Sequence, residues 1–280
     1  MGIDPVTTST TEPRTQTERL EVVISALRRF HDLRVNGNLP QLGKFLEFDY
    51  PEHDSDLGYG LQERDFTSEL VNSHNHFVLW LNRLAAWERI IRDYAEADAS
   101  SLSFEFVELP LDYCLHLPYR YKQRIVFCAT QLCYSCGVAG NLFGKEIVRN
   151  DEDIKQQALE EVAGRWSAGE ALIDAVRSLD GPDFRRVTRE YRRKAQHRFP
   201  PRIGFGDLAY LERSFPAGHR VRYTVSIMKP IQVSEVLPAL AGEAEKAMAA
   251  FRAYRELVSE QWAAISAGLT DAGADRGKVF

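Results

Sequence analysis

The chain has 280 residues, 44% of them hydrophobic and 27% charged, with a formal net charge of −5. These are ordinary globular values, and the length is enough to bury a core without staples. A net-acidic chain is no general binder of polyanions, so charge has to be read locally. Four cysteines (Cys114, Cys128, Cys133 and Cys136) crowd into one apolar stretch. A secreted disulfide framework would spread them between loops, so reduced thiols and a cytoplasmic setting are expected.

Residues 1–15 are Thr-rich, without the apolar run of a signal peptide, and read as a disordered tail. A first helix is expected over Thr17 to Val35, with Leu20, Val23, Ile24, Leu27 and Phe30 on one stripe. Gly37 suits its left-handed C-terminal cap. Pro40 to Gly60 reads as a loop. A second helix is expected to start at an N-capping Ser68 and reach Ala97. Phe77, Leu81, Leu84 and Ile91 form its seam, with Trp80, Trp87 and Tyr94 beside it as bundle core.

Alternation of Leu102, Phe104 and Phe106 predicts a strand over Leu102 to Leu109. A third helix, Tyr119 to Val148, follows Pro118. Its uncharged part, Ile125 to Gly144, contains Thr130, Gln131, Ser135 and Asn141, so it reads as a buried central helix and not as a membrane span. Cys136, Gly140 and Gly144 form a small-residue stripe that lets another helix approach closely. A fourth helix is expected over Asp151 to Leu179, with Ile154, Leu159, Val162, Trp166, Ile173 and Val176 inward, ended by Asp180-Gly181-Pro182. A basic helix over Asp183 to His197 follows and stops before Phe199-Pro200-Pro201.

Arg220 to Met228 alternates Val221, Tyr223, Val225 and Ile227 with polar residues, which predicts a strand with one buried face, pairing near Phe104. The last helix, Ser234 to Ala267, carries a near-heptad seam of Leu240, Ala244, Ala247, Phe251, Tyr254, Val258, Trp262 and Ile265. This seam and the small-residue stripe predict a homodimer. The fold class expected is all-α: one antiparallel helical bundle over residues 16–268 with a small two-stranded β-ribbon, then a disordered tail at 269–280.

The strongest local signal is electrostatic. Gly181 to Arg202 holds Arg185, Arg186, Arg189, Arg192, Arg193, Lys194, Arg198 and Arg202 against only Asp183 and Glu190. That segment is net +6, which leaves −11 for the rest. Such an island suits a phosphate-bearing partner; the bland alternative is a solvated helix face paired with acidic neighbours. Within it, Arg192 and His197 are separated by four residues. A His moves protons near neutral pH and an Arg holds the extra charge of a phosphorane, so the two can form a phosphodiester-cleaving pair. They lie about 140° apart on a straight helix and converge only if its end unwinds near His197. Arg213 with His219 has similar spacing but spans Pro216-Ala217-Gly218 and lacks a basic surround.

Arg192, the polar Arg193 and His197, within the run Tyr191 to Ile203, resemble the motif of the HEPN (higher eukaryotes and prokaryotes nucleotide-binding) superfamily. The resemblance covers a dozen or so residues, and the long helix that follows also suits that family. It implies a metal-independent ribonuclease acting at a dimer cleft, a toxin or defence component with an antitoxin partner. His197 would be the general acid/base, Arg192 the transition-state stabiliser, and Arg193 with the neighbouring cations would hold the RNA backbone. The 2′-hydroxyl would attack, leaving a 2′,3′-cyclic phosphate. The alternative is a non-catalytic helical module that binds RNA, nucleotide or an acidic protein. No cofactor and no metal are expected. Cys133-x-x-Cys136 reads as buried helical cysteines, His74 as a satisfied core histidine, and the acidic loop of Asp49, Glu52, His53, Asp54 and Asp56 as solvated.

Overall fold

The computed structural model describes residues 15–48, 58–139, 150–215 and 221–276. The fold is mostly helical with one two-stranded antiparallel ribbon. In chain order, α1 is Gln16–Val35, α2 Gly58–Ile91, α3 Glu96–Phe106 and α4 Glu108–Ala139. A single 3-10 turn at Asp151–Asp153 precedes α5 (Gln156–Ala163), α6 (Gly169–Ser178), α7 (Pro182–Val187) and α8 (Tyr191–His197). The ribbon strands β1 (Leu208–Ser214) and β2 (Arg222–Met228) lead into α9 (Val233–Arg276).

The long helices α2, α4 and α9 pack against one another and form the frame. The seam expected for α9 is buried in it, from Leu240 through Tyr254 to Ile265, and so is the α2 seam of Phe77, Leu81, Leu84 and Ile91. Buried polar groups are matched across the frame. Glu63 and Thr67 on α2 receive Arg255 of α9, and the Tyr59 hydroxyl donates to Gln261 at 2.6 Å. Before α2, the chain is strapped along that helix: Asn82 accepts from the Leu42 N–H at 2.8 Å, and His74 Nε2 meets the Lys44 carbonyl at 2.9 Å. Among the described residues, no helix is long and apolar enough to cross a membrane.

Several elements differ from their sequence expectation, each for a local reason. Thr15 and Glu18 form a reciprocal capping box that starts α1. Yet α1 packs through Val22, Val23, Ala26, Phe30 and Leu33, while Leu20, Ile24 and Leu27 stay exposed. Helix α2 begins ten residues before Ser68, whose hydroxyl is no cap but bonds back to the Arg64 carbonyl within the helix. Leu102 to Leu109 is helical, not a strand. Leu102 and Phe106 turn inward four residues apart, and the Phe104 between them is 75% exposed. Phe106 stacks on Trp87, whose ring also meets Phe30. Helix α4 starts before Pro118 and runs through it. Gly140 and Gly144 lie outside the described residues, as does the acidic loop of Asp49 to Asp56; Cys136 is buried against α9.

The expected fourth helix is split into α5 and α6. Gly169 packs so closely on Ala163 that a Cβ would sit 1.7 Å from its carbonyl oxygen. Glu260 accepts the N–H groups of Ser167 and Ala168 at the start of α6. At the other end of the bundle, α9 continues past Ala267 to Arg276.

Candidate nucleic-acid interface

The basic segment is two short helices, not one. The Thr188 hydroxyl bonds back to the Phe184 carbonyl, and Arg189 and Glu190 then take left-handed backbone angles (φ 53° and 58°). Non-glycine residues in that region cost on the order of 1–3 kcal/mol each. Offsetting contacts come from Arg189, which donates to the Lys229 and Pro230 carbonyls and to Glu235. These bonds tie the α7–α8 break to the foot of the ribbon. A bridge between Ile203 and Ile231 and a Lys229–Asp207 pair at 3.0 Å fix the same foot. The chain entering β1 turns at Gly204 and Gly206, both with positive φ; at Gly206 a Cβ would sit 2.9 Å from Arg202 Nη1.

Helix α8 buries one face. Its first residue, Tyr191, donates to Asp112 of α4 at 2.8 Å and packs edge-on to His116. Burial, with Asp112 adding to it, raises the Tyr191 phenol pKa and keeps it a donor. Arg192 follows inward. It donates to Asp180 at 3.2 Å and lies 3.8 Å from the centroid of the Tyr119 ring. Asp180 is only 2% exposed and accepts from Arg185 as well, at 3.0 Å. Its own N–H donates to the buried Glu243 of α9 at 2.7 Å, which also holds Lys246.

The eight cations therefore divide into two sets. Arg185 and Arg192 share Asp180, Arg186 pairs with Asp183, Arg189 with Glu235, and Arg193 with Glu190. Lys194, Arg198 and Arg202 have no carboxylate partner among the described residues. Of the paired set, Arg186 and Asp183 are so exposed (79% and 85%) that their bond contributes little and leaves the guanidinium available.

An open cleft of about 920 Å³ separates α8 from the ribbon. Lys194, His197, Arg198 and Arg213 line it. Phe199, Leu208, Tyr210, Phe215 and Met228 supply its apolar and aromatic lining. Glu212, the one carboxylate in the lining, accepts from the Ser226 hydroxyl at 2.9 Å. Lys194 Nζ rests 3.9 Å from Met228 Sδ, and His197 is exposed without a hydrogen-bond partner among the described residues.

The expected catalytic pair does not meet within one chain. Helix α8 runs through His197 and becomes extended only at Arg198, so unwinding falls one residue too late to turn the imidazole toward Arg192. Arg192 faces Asp180 and Tyr119; His197 faces the cleft. Arg193 is exposed beside Glu190. The ribbon also corrects expectation. Strand β2 pairs with Leu208–Ser214, not with the Phe104 region, and its apolar side chains are exposed: Tyr223 61%, Val225 67% and Ile227 61%. Among the described residues, no layer covers these exposed side chains of the two strands. His219 lies outside the described residues.

The cysteine pair is structural. Cys133 accepts from Gln261 Nε2 at 3.2 Å, Cys136 donates to the Gln261 carbonyl, and burial pushes both thiols up to about 12. Among the described residues, no three His, Cys, Asp or Glu side chains are grouped to hold a metal ion. Sequence reasoning missed Asp180, Tyr119 and the cleft aromatics. Asp180 reads as a helix stop, and only its place directly before eight cations hints at a counter-ion. Strand β1 was missed too; the signal that could have found it is the turn at Pro216-Ala217-Gly218 between the Leu208 to Ser214 run and the second strand. No family model, curated protein or solved structure matches the chain.

Proposed function

We propose that this protein is an RNA-binding module whose phosphate-binding surface is the cleft between α8 and the β-ribbon. The observation that carries this reading is the sorting of the cations. Those facing the bundle are engaged by Asp180, which Arg185 and Arg192 share, and by Glu235, while Lys194, Arg198 and Arg213, with His197, surround one open cleft with no carboxylate partner among the described residues. On a chain of net charge −5, a concentrated positive cleft draws a polyanion to one place. The test is fluorescence anisotropy with a labelled single-stranded RNA. The variant combining Lys194→Gln, Arg198→Gln and Arg213→Gln is expected to lose most of the affinity. Equal affinity would remove the cleft from the account.

A second reading, metal-independent RNA cleavage of the HEPN type, is favoured by one observation: His197 is exposed in this cleft, where it can reach a bound phosphodiester. In that reading His197 transfers the proton, Arg193 helps hold the backbone, and a cation other than the engaged Arg192 holds the phosphorane charge unless Asp180 releases it. It further entails a homodimer and an antitoxin partner. The α9 seam residues are already buried within one chain, so another surface would have to form that dimer. The test is cleavage of an RNA panel with products checked for 2′,3′-cyclic phosphate ends. Loss of cutting in His197→Ala with retained binding supports this reading; no cutting by the wild type ends it.

A further inference from the structure

Phosphate contacts alone do not account for the rings in the cleft. Phe199 is 79% exposed, Phe215 73% and Tyr210 40%, and none has an aromatic partner among the described residues. Leaving a large apolar side chain in water instead of burying it forgoes stabilisation, so folding does not explain rings held outward on both walls. Their placement follows a pattern. On one side Arg198 and the following Phe199 line the cleft; on the other Arg213 and Phe215, two residues apart, line it, with Tyr210 on the opposite face of the strand from Arg213. Each wall thus presents a cation beside a flat apolar surface, the complement of a nucleotide, which carries one phosphate and one flat ring.

We infer that the cleft takes single-stranded nucleic acid, with unpaired bases laid on Phe199 and Phe215 while Arg198, Arg213 and Lys194 hold the intervening phosphates. The inference rests on the RNA-binding reading above and narrows its ligand. A duplex offers the same phosphates but keeps its bases stacked on each other, so it gains nothing from exposed rings. Every base has a π-face, so the contact is tolerant of sequence. An acidic peptide meets the charge but does not supply a flat ring at each charged unit.

The test is anisotropy on the full chain with a labelled single-stranded RNA 12-mer, against a duplex of the same length, an abasic 12-mer of equal charge, single-stranded DNA and poly-glutamate. The single-stranded RNA is expected to bind at least about tenfold more tightly than the duplex, the abasic strand or poly-glutamate. DNA should fall within about tenfold of the RNA, because rings and cations do not read a 2′-hydroxyl. Phe199→Ala and Phe215→Ala should each weaken RNA about tenfold without changing the salt dependence, and both residues are exposed enough that folding is spared. Equal binding of the abasic strand, or neutral phenylalanine variants, overturns the inference; if the Lys194, Arg198 and Arg213 substitutions still weaken binding, the broader reading survives it. Poly-glutamate binding as well as RNA, or no affinity for DNA, also overturns it. If none of these polyanions binds, both fall together.

Discussion

Arg192 donates to Asp180 across 3.2 Å, and the carboxylate that receives it is almost wholly buried. The arginine of the Arg–His spacing is therefore a counter-ion for the bundle before it is anything else. It pins α8 to the turn after α6, and the Tyr119 ring packs against its guanidinium. Removing one partner of a buried pair leaves a charge short of compensation.

That relationship predicts how two arginine variants differ. Arg192→Ala should lower stability by about 2 kcal/mol, below the usual cost of breaking a buried pair because Arg185 still reaches Asp180. Its RNA affinity should stay within about twofold of wild type. Arg198→Ala should do the opposite: unchanged stability and weaker binding. Urea denaturation and anisotropy on the same preparations check both. A stable Arg192→Ala that fails to bind RNA would place Arg192 on the ligand instead.

The four thiols should be silent in the folded protein. Cys114, Cys128, Cys133 and Cys136 are all buried, and burial disfavours the thiolate, with Cys128, Cys133 and Cys136 pushed up to about 12. A thiol reagent at pH 8 should give no rapid reaction until denaturant is added, then titrate four groups. Fast labelling of any one would show that the α4–α9 seam opens.

His74 makes stability sensitive to mild acid. Burial lowers its pKa from the ordinary value, while its bond to the Lys44 carbonyl opposes the shift only in part. The unfolded chain then binds a proton that the folded chain refuses. Stability from this group is intact above about pH 6.5 and is lost as the pH falls from there toward the lowered folded value. Urea midpoints between pH 7.5 and 5.5 should fall for wild type and fall less for His74→Gln, which keeps a donor for Lys44. Parallel curves would remove His74 as the source.

The frame of the fold was legible because its helices carry long periodic seams, and burial of Phe77, Leu81, Tyr254 and Trp262 follows the spacing directly. Breaks inside helices were not legible. Thr188 to Glu190 contains no glycine or proline, and its left-handed turn depends on carbonyls forty residues away that receive Arg189. The alternation of Leu102, Phe104 and Phe106 looked like a strand because so short a window cannot separate a strand from a helix with one exposed phenylalanine. At the site, the density of cations was plain in the sequence, but which of them are spoken for was not. Asp180 reaches Arg185 locally, five residues on, but it reaches Arg192, and Glu235 reaches Arg189, only through the packing of separate helices.

The salt dependence of RNA binding measures that sorting of cations. Each phosphate contact contributes a slope of roughly 0.7 in log affinity against log salt for a single strand. Lys194, Arg198 and Arg213 together should therefore supply a slope of about 2, and replacing all three with glutamine should reduce the slope by about that amount. An unchanged slope in that variant, with the fold intact by circular dichroism, would contradict the account and place the RNA on another face of the protein.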